Sequence, residues 1–299
     1  MIPVLTGATA SGKSALSLRL GEQFSLELVS ADAMMVYREM DIGTAKPTPE
    51  EQTRVPHHLI DVVAPDEPFS VAHYVALAET AISDILTRGK LPLVVGGTGF
   101  YIRALTGGLP TTPAADPDVQ RTLWERLERE GLASLERELT SLSPGDAARA
   151  QRNPRRLVRT LEVWQRTGCS PASFPLTQPA YLYSKRLLEP SLPELALAIT
   201  ARTEAMFAAG LEEEVKRLLE RYPAATTALQ AIGYKEVREA LRSEKPSAEA
   251  KEAVLQATLR YAKRQLTWFR KEPGLEPLMP QDAEAWLENL FCAGQTDCY

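Results

Sequence analysis

The chain has 299 residues, more than one minimal domain and fewer than two large ones. At 44% hydrophobic and 24% charged it can bury a core, and its composition is that of an ordinary globular protein. The formal net charge of −5, from 34 basic and 39 acidic side chains, argues on its face against a polyanionic partner. No apolar run approaches the ~20 residues of a membrane span. The apolar start, Ile2 to Leu5, stops at Thr6-Gly7 without the basic and long apolar regions of a signal peptide. Three cysteines (Cys169, Cys292, Cys298) show no CxxC pair and no zinc spacing, and the three histidines suggest no metal cage. The expectation is a reduced, cytoplasmic protein that keeps off membranes.

The first hundred residues alternate strands and helices. Pro3 to Leu5 reads as a strand entering a glycine loop, Ser14 to Gln23 as a helix, and Leu26 to Val29 as a strand ending at Ser30-Ala31-Asp32. Val71 to Leu86 has helical apolar spacing, and Leu91 to Val95 is a buried strand followed by Gly96-Gly97-Thr98-Gly99. Such alternation implies a parallel sheet covered on both faces. At Leu109-Pro110-Thr111-Thr112-Pro113 the strand signals stop, and residues 116 to 167 read as helical throughout. Asn153-Pro154 is a helix start, an N-cap residue followed by proline. Pro171 to Pro193 is a looser stretch holding five of the 22 prolines. Leu195 to Ile199 is predicted as one more strand, with helices at about 202–221 and 247–270. The tail from Gly294 is predicted to be disordered.

Gly7-Ala8-Thr9-Ala10-Ser11-Gly12-Lys13-Ser14 fits G-x-x-x-x-G-K-[ST] between a strand and a helix, the context this phosphate-cradling motif requires. Its backbone N–H groups point at phosphate oxygens, Lys13 adds charge, and the Ser14 hydroxyl can hold Mg²⁺. A kinase or ATPase also needs an acid at the end of an apolar strand, and Leu91 to Val95 ends in glycines instead. Asp32 is the acid that does follow a core strand. It is a general base or metal contact on one reading, and a strand-end turn on the other. Thr98 holds the equivalent place after the third strand.

Charge is unevenly spread. Arg149 to Arg166 contains six arginines and one acid, and Arg260 to Lys271 contains five basic residues and none. Each segment is net +5, so the rest of the chain is far more acidic than the total indicates. In the second, Tyr261, Gln265 and Trp268 line one helix flank. Two such segments point to a nucleic-acid phosphate track.

Several strings together resemble one family, the tRNA dimethylallyltransferases (IPP transferases). They are the phosphate loop 7–14, Asp41-Ile-Gly-Thr-Ala-Lys-Pro47, Pro56-His-His-Leu-Ile-Asp61 and Gly96-Gly-Thr-Gly-Phe-Tyr101. Leu229-Gln-Ala-Ile-Gly-Tyr-Lys235 and Tyr261-Ala-Lys-Arg-Gln-Leu-Thr-Trp-Phe-Arg270 complete the set, which runs in order along nearly the whole chain.

The resemblance implies an α/β fold with a P-loop NTPase-like parallel core, residues 1–110 plus 191–299, and an all-helical insertion, residues 111–190, gripping a tRNA anticodon stem-loop. It implies transfer of a dimethylallyl group from dimethylallyl diphosphate to N6 of adenosine 37 in tRNAs reading codons that begin with U. The loop residues Gly7, Thr9, Ala10, Ser11, Gly12, Lys13 and Ser14 would then hold pyrophosphate rather than ATP, with Mg²⁺ at Ser14. Arg202 matches a further pyrophosphate ligand, Asp32 the general base, and Thr98 a residue that helps hold the adenine. RNA contacts are implied at Asp32, Ala33, Met34, Met35 and Thr98, and on the insertion at Gln120, Arg155, Arg156 and Arg159. Gln230, Gly233, Tyr234, Lys235, Lys263, Arg264, Gln265, Trp268 and Arg270 complete that set. Departures from the family pattern stand at Ala8, Ala33, Met35, Ala198 and Leu259. A small-molecule kinase, an adenylate isopentenyltransferase and a non-catalytic RNA-binding protein are the competing readings. A monomer is expected.

Overall fold

The computed structural model describes residues 1–225 and 227–293; the expected disorder from Gly294 onward lies outside them. In chain order the first elements are β1 (Ile2–Gly7), α1 (Lys13–Phe24), β2 (Leu26–Ser30), α2 (Pro49–Arg54) and β3 (His57–His58). Then come α3 (Val71–Thr87), β4 (Leu91–Gly96) and α4 (Gly99–Gly107). The apolar runs became strands because parallel strands covered on both faces must be apolar on both. β1 and β2 are buried at every position.

The six-stranded sheet has the order β3-β2-β4-β1-β5-β6, every pairing parallel. The last two strands are β5 (Tyr183–Leu188) and β6 (Leu275–Leu278). Period-two alternation divides the core. Ile2, Val4, Val29 and Val94 face α3 and α4, where Tyr74, Ile82, Ile85 and Ile102 close the layer. Leu5, Leu26, Leu28 and Leu93 face α1 and, later in the chain, Trp286 and Leu287. Each fully buried aliphatic side chain contributes about 1.5–3 kcal/mol of transfer free energy. From β1 the chain crosses to β2 on one side; from β4, β1's neighbour, it goes on to β5 on the other. The carboxyl ends of β1 and β4 therefore flank a topological switch point, where open α/β sheets bind ligands.

Two compact units form, residues 1–106 with 180–299, and residues 107–179. The second unit holds α5 (Pro117–Glu130), α6 (Leu132–Leu142), α7 (Pro144–Ala150) and α8 (Pro154–Thr167). They pack around Leu123, Leu135, Leu139, Leu157 and Leu161. Asn153 caps α8 through its side chain, with Pro154 in the first turn.

The structure corrects one strand, one boundary and one helix. Leu195 to Ile199 is helical, part of α9 (Leu192–Ala208), which starts with a capping box between Ser191 and Glu194. The strand lies earlier, at β5, inside the stretch read as loose. β5 pairs with β1 from Ile2 to Gly7, so the chain rejoins the sheet unit at residue 180 rather than 191. The helix expected over 202–221 is divided: Gly210, at φ +94°, separates α9 from α10 (Leu211–Arg221). α11 (Tyr234–Arg242), α12 (Ser247–Phe269) and α13 (Ala283–Ala293) complete the unit.

Candidate active site

The chain leaves β1 at Gly7 and enters α1 at Lys13 through a loop that requires unusual backbone angles. Ala10 and Gly12 have positive φ, 61° and 86°, and the Ser11 N–H donates back to the Ala8 carbonyl at 3.2 Å. Gly12 offers no side chain to cap α1, and the first turn holds no acid. The amino end of α1 thus presents N–H groups without intrahelical partners, and the positive end of the helix dipole, to an anion. The Ser11 hydroxyl is buried with no partner.

Lys13 Nζ donates to the Ala8 carbonyl at 3.1 Å. Burial pulls its pKa down to about 8; Asp32 opposes that shift and Arg202 adds to it. Burial likewise lowers the Arg202 pKa, against the pull of Asp32. Arg202, from α9, donates through Nη2 to the Thr44 carbonyl at 3.1 Å. Two cations and one carboxylate therefore act on one another in a place partly withdrawn from water.

Asp32 follows β2 in a turn closed by its own Oδ1, which accepts from the Met34 N–H at 2.9 Å. The Thr98 hydroxyl oxygen accepts from the Ala33 N–H at 2.9 Å, and the Thr98 N–H donates to the Ala31 carbonyl at 3.1 Å. Thr98 therefore pins both flanks of Asp32. The close approach needs Gly96: a Cβ there would stand 2.2 Å from the Ala31 oxygen.

Thr9, Lys13, Ser14, Asp32, Met35 and Arg202 line one cavity of about 300 Å³, and Thr98 holds Asp32 from behind its wall. Leu18, Leu28 and Ile60 make part of the lining apolar. Tyr261 also lines it, a residue the sequence placed only on the flank of a basic helix. Burial and the Asp32 charge push its pKa up to about 12, so it is a protonated donor at neutral pH. Among the described residues no group of three or more His, Cys, Asp and Glu side chains could hold a metal ion. The Ser14 hydroxyl, in the first turn of α1, is a hard oxygen donor in the cavity wall.

Several residues expected to face RNA are engaged within the protein. Gln265 is buried, accepting from the Thr9 N–H at 2.9 Å and donating to the Gly97 carbonyl at 2.8 Å. Tyr234 is fully buried, and its hydroxyl donates to Glu214 at 2.6 Å. Next to it Gly233 is buried too. Gln230, Lys263, Arg264 and Arg270 are exposed, Arg270 paired with Glu189; Lys235 is partly exposed. Trp268 packs over Gly99, and the Arg103 guanidinium lies 4.4 Å from its ring. On the helical unit Arg155 and Arg156 are exposed, with Arg156 bonded to Gln151 at 3.1 Å. Gln120 and Arg159 are instead turned to the fully buried Glu162, at 2.9 and 2.8 Å.

A phosphate loop at a helix amino end, facing a carboxylate across a switch-point cavity, defines a group-transfer enzyme built on a P-loop NTPase-like α/β core. The model of the IPP transferase family matches residues 35–272, and that of the isopentenyl transferases residues 1–61. A tRNA dimethylallyltransferase of Thermus thermophilus is 57% identical over 95% of this chain and 94% of its own. The solved tRNA isopentenylpyrophosphate transferase of Bacillus halodurans is 35% identical, with a TM-score of 0.71 over 99% of this chain and 96% of that one. A eukaryotic dimethylallyltransferase acting on tRNA superposes with a TM-score of 0.78 at 28% identity, covering 95% of this chain and 75% of that one. The chain belongs to the IPP transferase family, enzymes that transfer a prenyl group in tRNA modification.

Proposed function

We propose that the protein transfers a dimethylallyl group from dimethylallyl diphosphate to N6 of adenosine 37 in the anticodon loop of tRNAs reading codons that begin with U. The observation that carries this reading is that Lys13, Arg202 and Asp32 line a single cavity. The two cations and the amino end of α1 suit a leaving diphosphate, and the carboxylate suits an amine proton. The relatives' names, a tRNA dimethylallyltransferase and a tRNA isopentenylpyrophosphate transferase, support a prenyl donor and a tRNA acceptor.

N6 attacks C1 of the donor, the C1–O bond breaks, pyrophosphate leaves, and the N6 proton passes to the Asp32 carboxylate. Lys13, Arg202 and the loop N–H groups hold the charge that grows on the departing oxygen, in a site whose donors are fixed before reaction. Thr98 keeps Asp32 in place and retains a hydroxyl proton for an acceptor on the base. The apolar part of the lining suits the prenyl carbons and keeps water from C1. Mg²⁺ fits the donor set, because it takes few protein ligands beside substrate phosphates and water. Ser14 would hold it, and when bound it neutralises diphosphate charge. The target adenine must leave the loop stack to enter such a cavity, the step that base-modifying enzymes share. Arg155 and Arg156 on the helical unit, and Lys263, Arg264 and Arg270 on the sheet unit, suit an RNA phosphate chain. The protein acts as a cytoplasmic monomer in this reading. Among the described residues no helix is long and apolar enough to cross a membrane.

The test is mass spectrometry of adenosine 37 in unmodified tRNA after incubation with the enzyme, dimethylallyl diphosphate and Mg²⁺. A prenyl adduct at that nucleoside is expected. Its absence, or ATP replacing the prenyl diphosphate as the ligand that protects the protein thermally, overturns the proposal.

A further inference from the structure

None of this chemistry uses the side chains of the string Asp41 to Thr44, nor the buried carboxylate of Glu214. Glu214 lies on α10 and is 2% exposed. A carboxylate that deep needs several donors, and it has four. The Ile42 N–H reaches Oε2 at 2.9 Å, the Asp41 and Gly43 N–H groups approach at 3.2 Å, and the Tyr234 hydroxyl donates at 2.6 Å. Burial and the neighbouring carboxylate push the Tyr234 pKa up, so the phenol keeps its proton. Gly43 admits the ring: a Cβ there would stand 2.4 Å from Tyr234.

The next residue of the same loop is Thr44, whose carbonyl takes the Arg202 guanidinium at 3.1 Å, and Ala45 and Pro47 line the cavity. Lys46 secures the far side of the loop, donating to the Tyr37 carbonyl at 3.0 Å and to Asp41 and Asp61 at 2.6 Å each.

We propose that Glu214 and Tyr234 are positioning residues for Arg202: they fix the 41–47 loop so that the Thr44 carbonyl aims the guanidinium at the diphosphate seat. Two consecutive helices then cooperate, α9 supplying the cation and α10 the anchor of its acceptor. The proposal rests on Arg202 being a diphosphate ligand, and the experiment separates the two.

The test is a double-mutant cycle between Glu214→Gln and Arg202→Ala, with KM for dimethylallyl diphosphate, affinity for tRNA and thermal melting each measured. Glutamine keeps the shape but turns an N–H₂ group toward backbone donors. In the wild-type background it is expected to raise the diphosphate KM about tenfold or more, the scale of a lost charged acceptor, with tRNA affinity unchanged. In the Arg202→Ala background the same change is expected to alter KM less than about twofold. Equal losses in both backgrounds, or a loss in tRNA affinity alone, overturn the positioning role. An Arg202→Ala enzyme with wild-type diphosphate KM overturns the reading of Arg202, and the positioning role with it. Tyr234→Phe removes one donor and leaves the ring packed, so it carries the same comparison if Glu214→Gln does not fold.

Discussion

Gln265 and Gly97 meet through a 2.8 Å hydrogen bond between side-chain amide and backbone carbonyl, 168 residues apart. The other end of the same amide accepts from Thr9 in the phosphate loop. One buried side chain of α12 therefore holds the two glycine loops that follow β1 and β4 at a fixed separation. Gly97 leaves it room, since a Cβ there would stand 2.8 Å from the amide nitrogen.

Gln265→Ala is expected to leave the half-buried Thr9 N–H and the buried Gly97 carbonyl unpaired, at about 1–3 kcal/mol. The phosphate loop should lose its register, with kcat/KM for the prenyl diphosphate falling about tenfold or more. Gln265→Glu should be worse, because a carboxylate cannot donate to the Gly97 carbonyl and repels it. Steady-state kinetics of the two variants beside thermal melting check this ranking.

For Asp32 the informative change is Asp32→Asn. The amide keeps an oxygen for the Met34 N–H but cannot take the N6 proton. The expected result is a fall in kcat of about a hundredfold or more, with diphosphate and tRNA affinities within about twofold of wild type. Single-turnover rates with prebound tRNA measure it, and an unchanged rate removes Asp32 from the proton transfer.

What the sequence disclosed followed from burial and local spacing. β1 and β4 read as apolar runs, and β2 as one broken only by Glu27; the phosphate loop is a local string. β5 stayed hidden because Lys185 and Arg186 stand in mid-strand. They are tolerated there through Glu272, 87 residues away at 3.2 Å, and Glu276 at 2.8 Å. Long separation in sequence also concealed the work of Gln265, which the resemblance placed among the RNA contacts. Glu214 is an ordinary helix-face acid in the sequence; its backbone partners lie 171 to 173 residues before it. Thr98 and Asp32 were legible as residues that end strands, whereas Gly96, which in the sequence only marked the missing kinase acid, is the steric requirement that lets Thr98 reach both flanks of Asp32.

Gly96→Ala tests that requirement. The overlap would be with backbone at Ala31, which cannot rotate away. β4 and β2 pair from Leu26 to Ser30, so relief must come from parting two inner strands. A loss of about 3 kcal/mol is expected, the upper end of overpacking costs. Urea denaturation of the variant measures it, and a loss under about 1 kcal/mol contradicts this account.

Glu27 sets a pH dependence of stability. It sits on the inner strand β2 at 5% exposure. Arg88, bonded to both its oxygens, and then His58 at 2.7 Å hold its pKa down to about 2, against the opposing effect of burial. A depressed carboxylate pKa contributes stability that is complete above the unfolded value and is lost as the pH falls toward the folded one. The window runs from about pH 4.5 down to about 2, and the contribution is at most about 3 kcal/mol. Glu27→Gln should lower stability at pH 7 and flatten the slope between pH 5 and 3. Equal slopes for the two proteins would assign the acid sensitivity to other carboxylates.

On the helical unit two arginines of α8 are expected to fail in opposite ways. Arg159 reaches the Pro113 carbonyl at 2.6 Å and Glu162 at 2.8 Å, and Glu162 is fully buried. Removing Arg159 leaves that carboxylate with the Asp116 N–H, Gln120 and the longer Arg166 contact. A destabilisation of about 1–3 kcal/mol is expected for Arg159→Ala. Arg155 is exposed and makes no ion pair among the described residues. Arg155→Ala should leave stability within about 0.5 kcal/mol of wild type. If α8 contacts RNA phosphates, the same variant should weaken tRNA binding and reduce the slope of log K against log salt by about one. Binding titrations at several salt concentrations, run beside melting curves, separate the two residues. An Arg155→Ala protein with the wild-type salt slope places its phosphate contacts elsewhere.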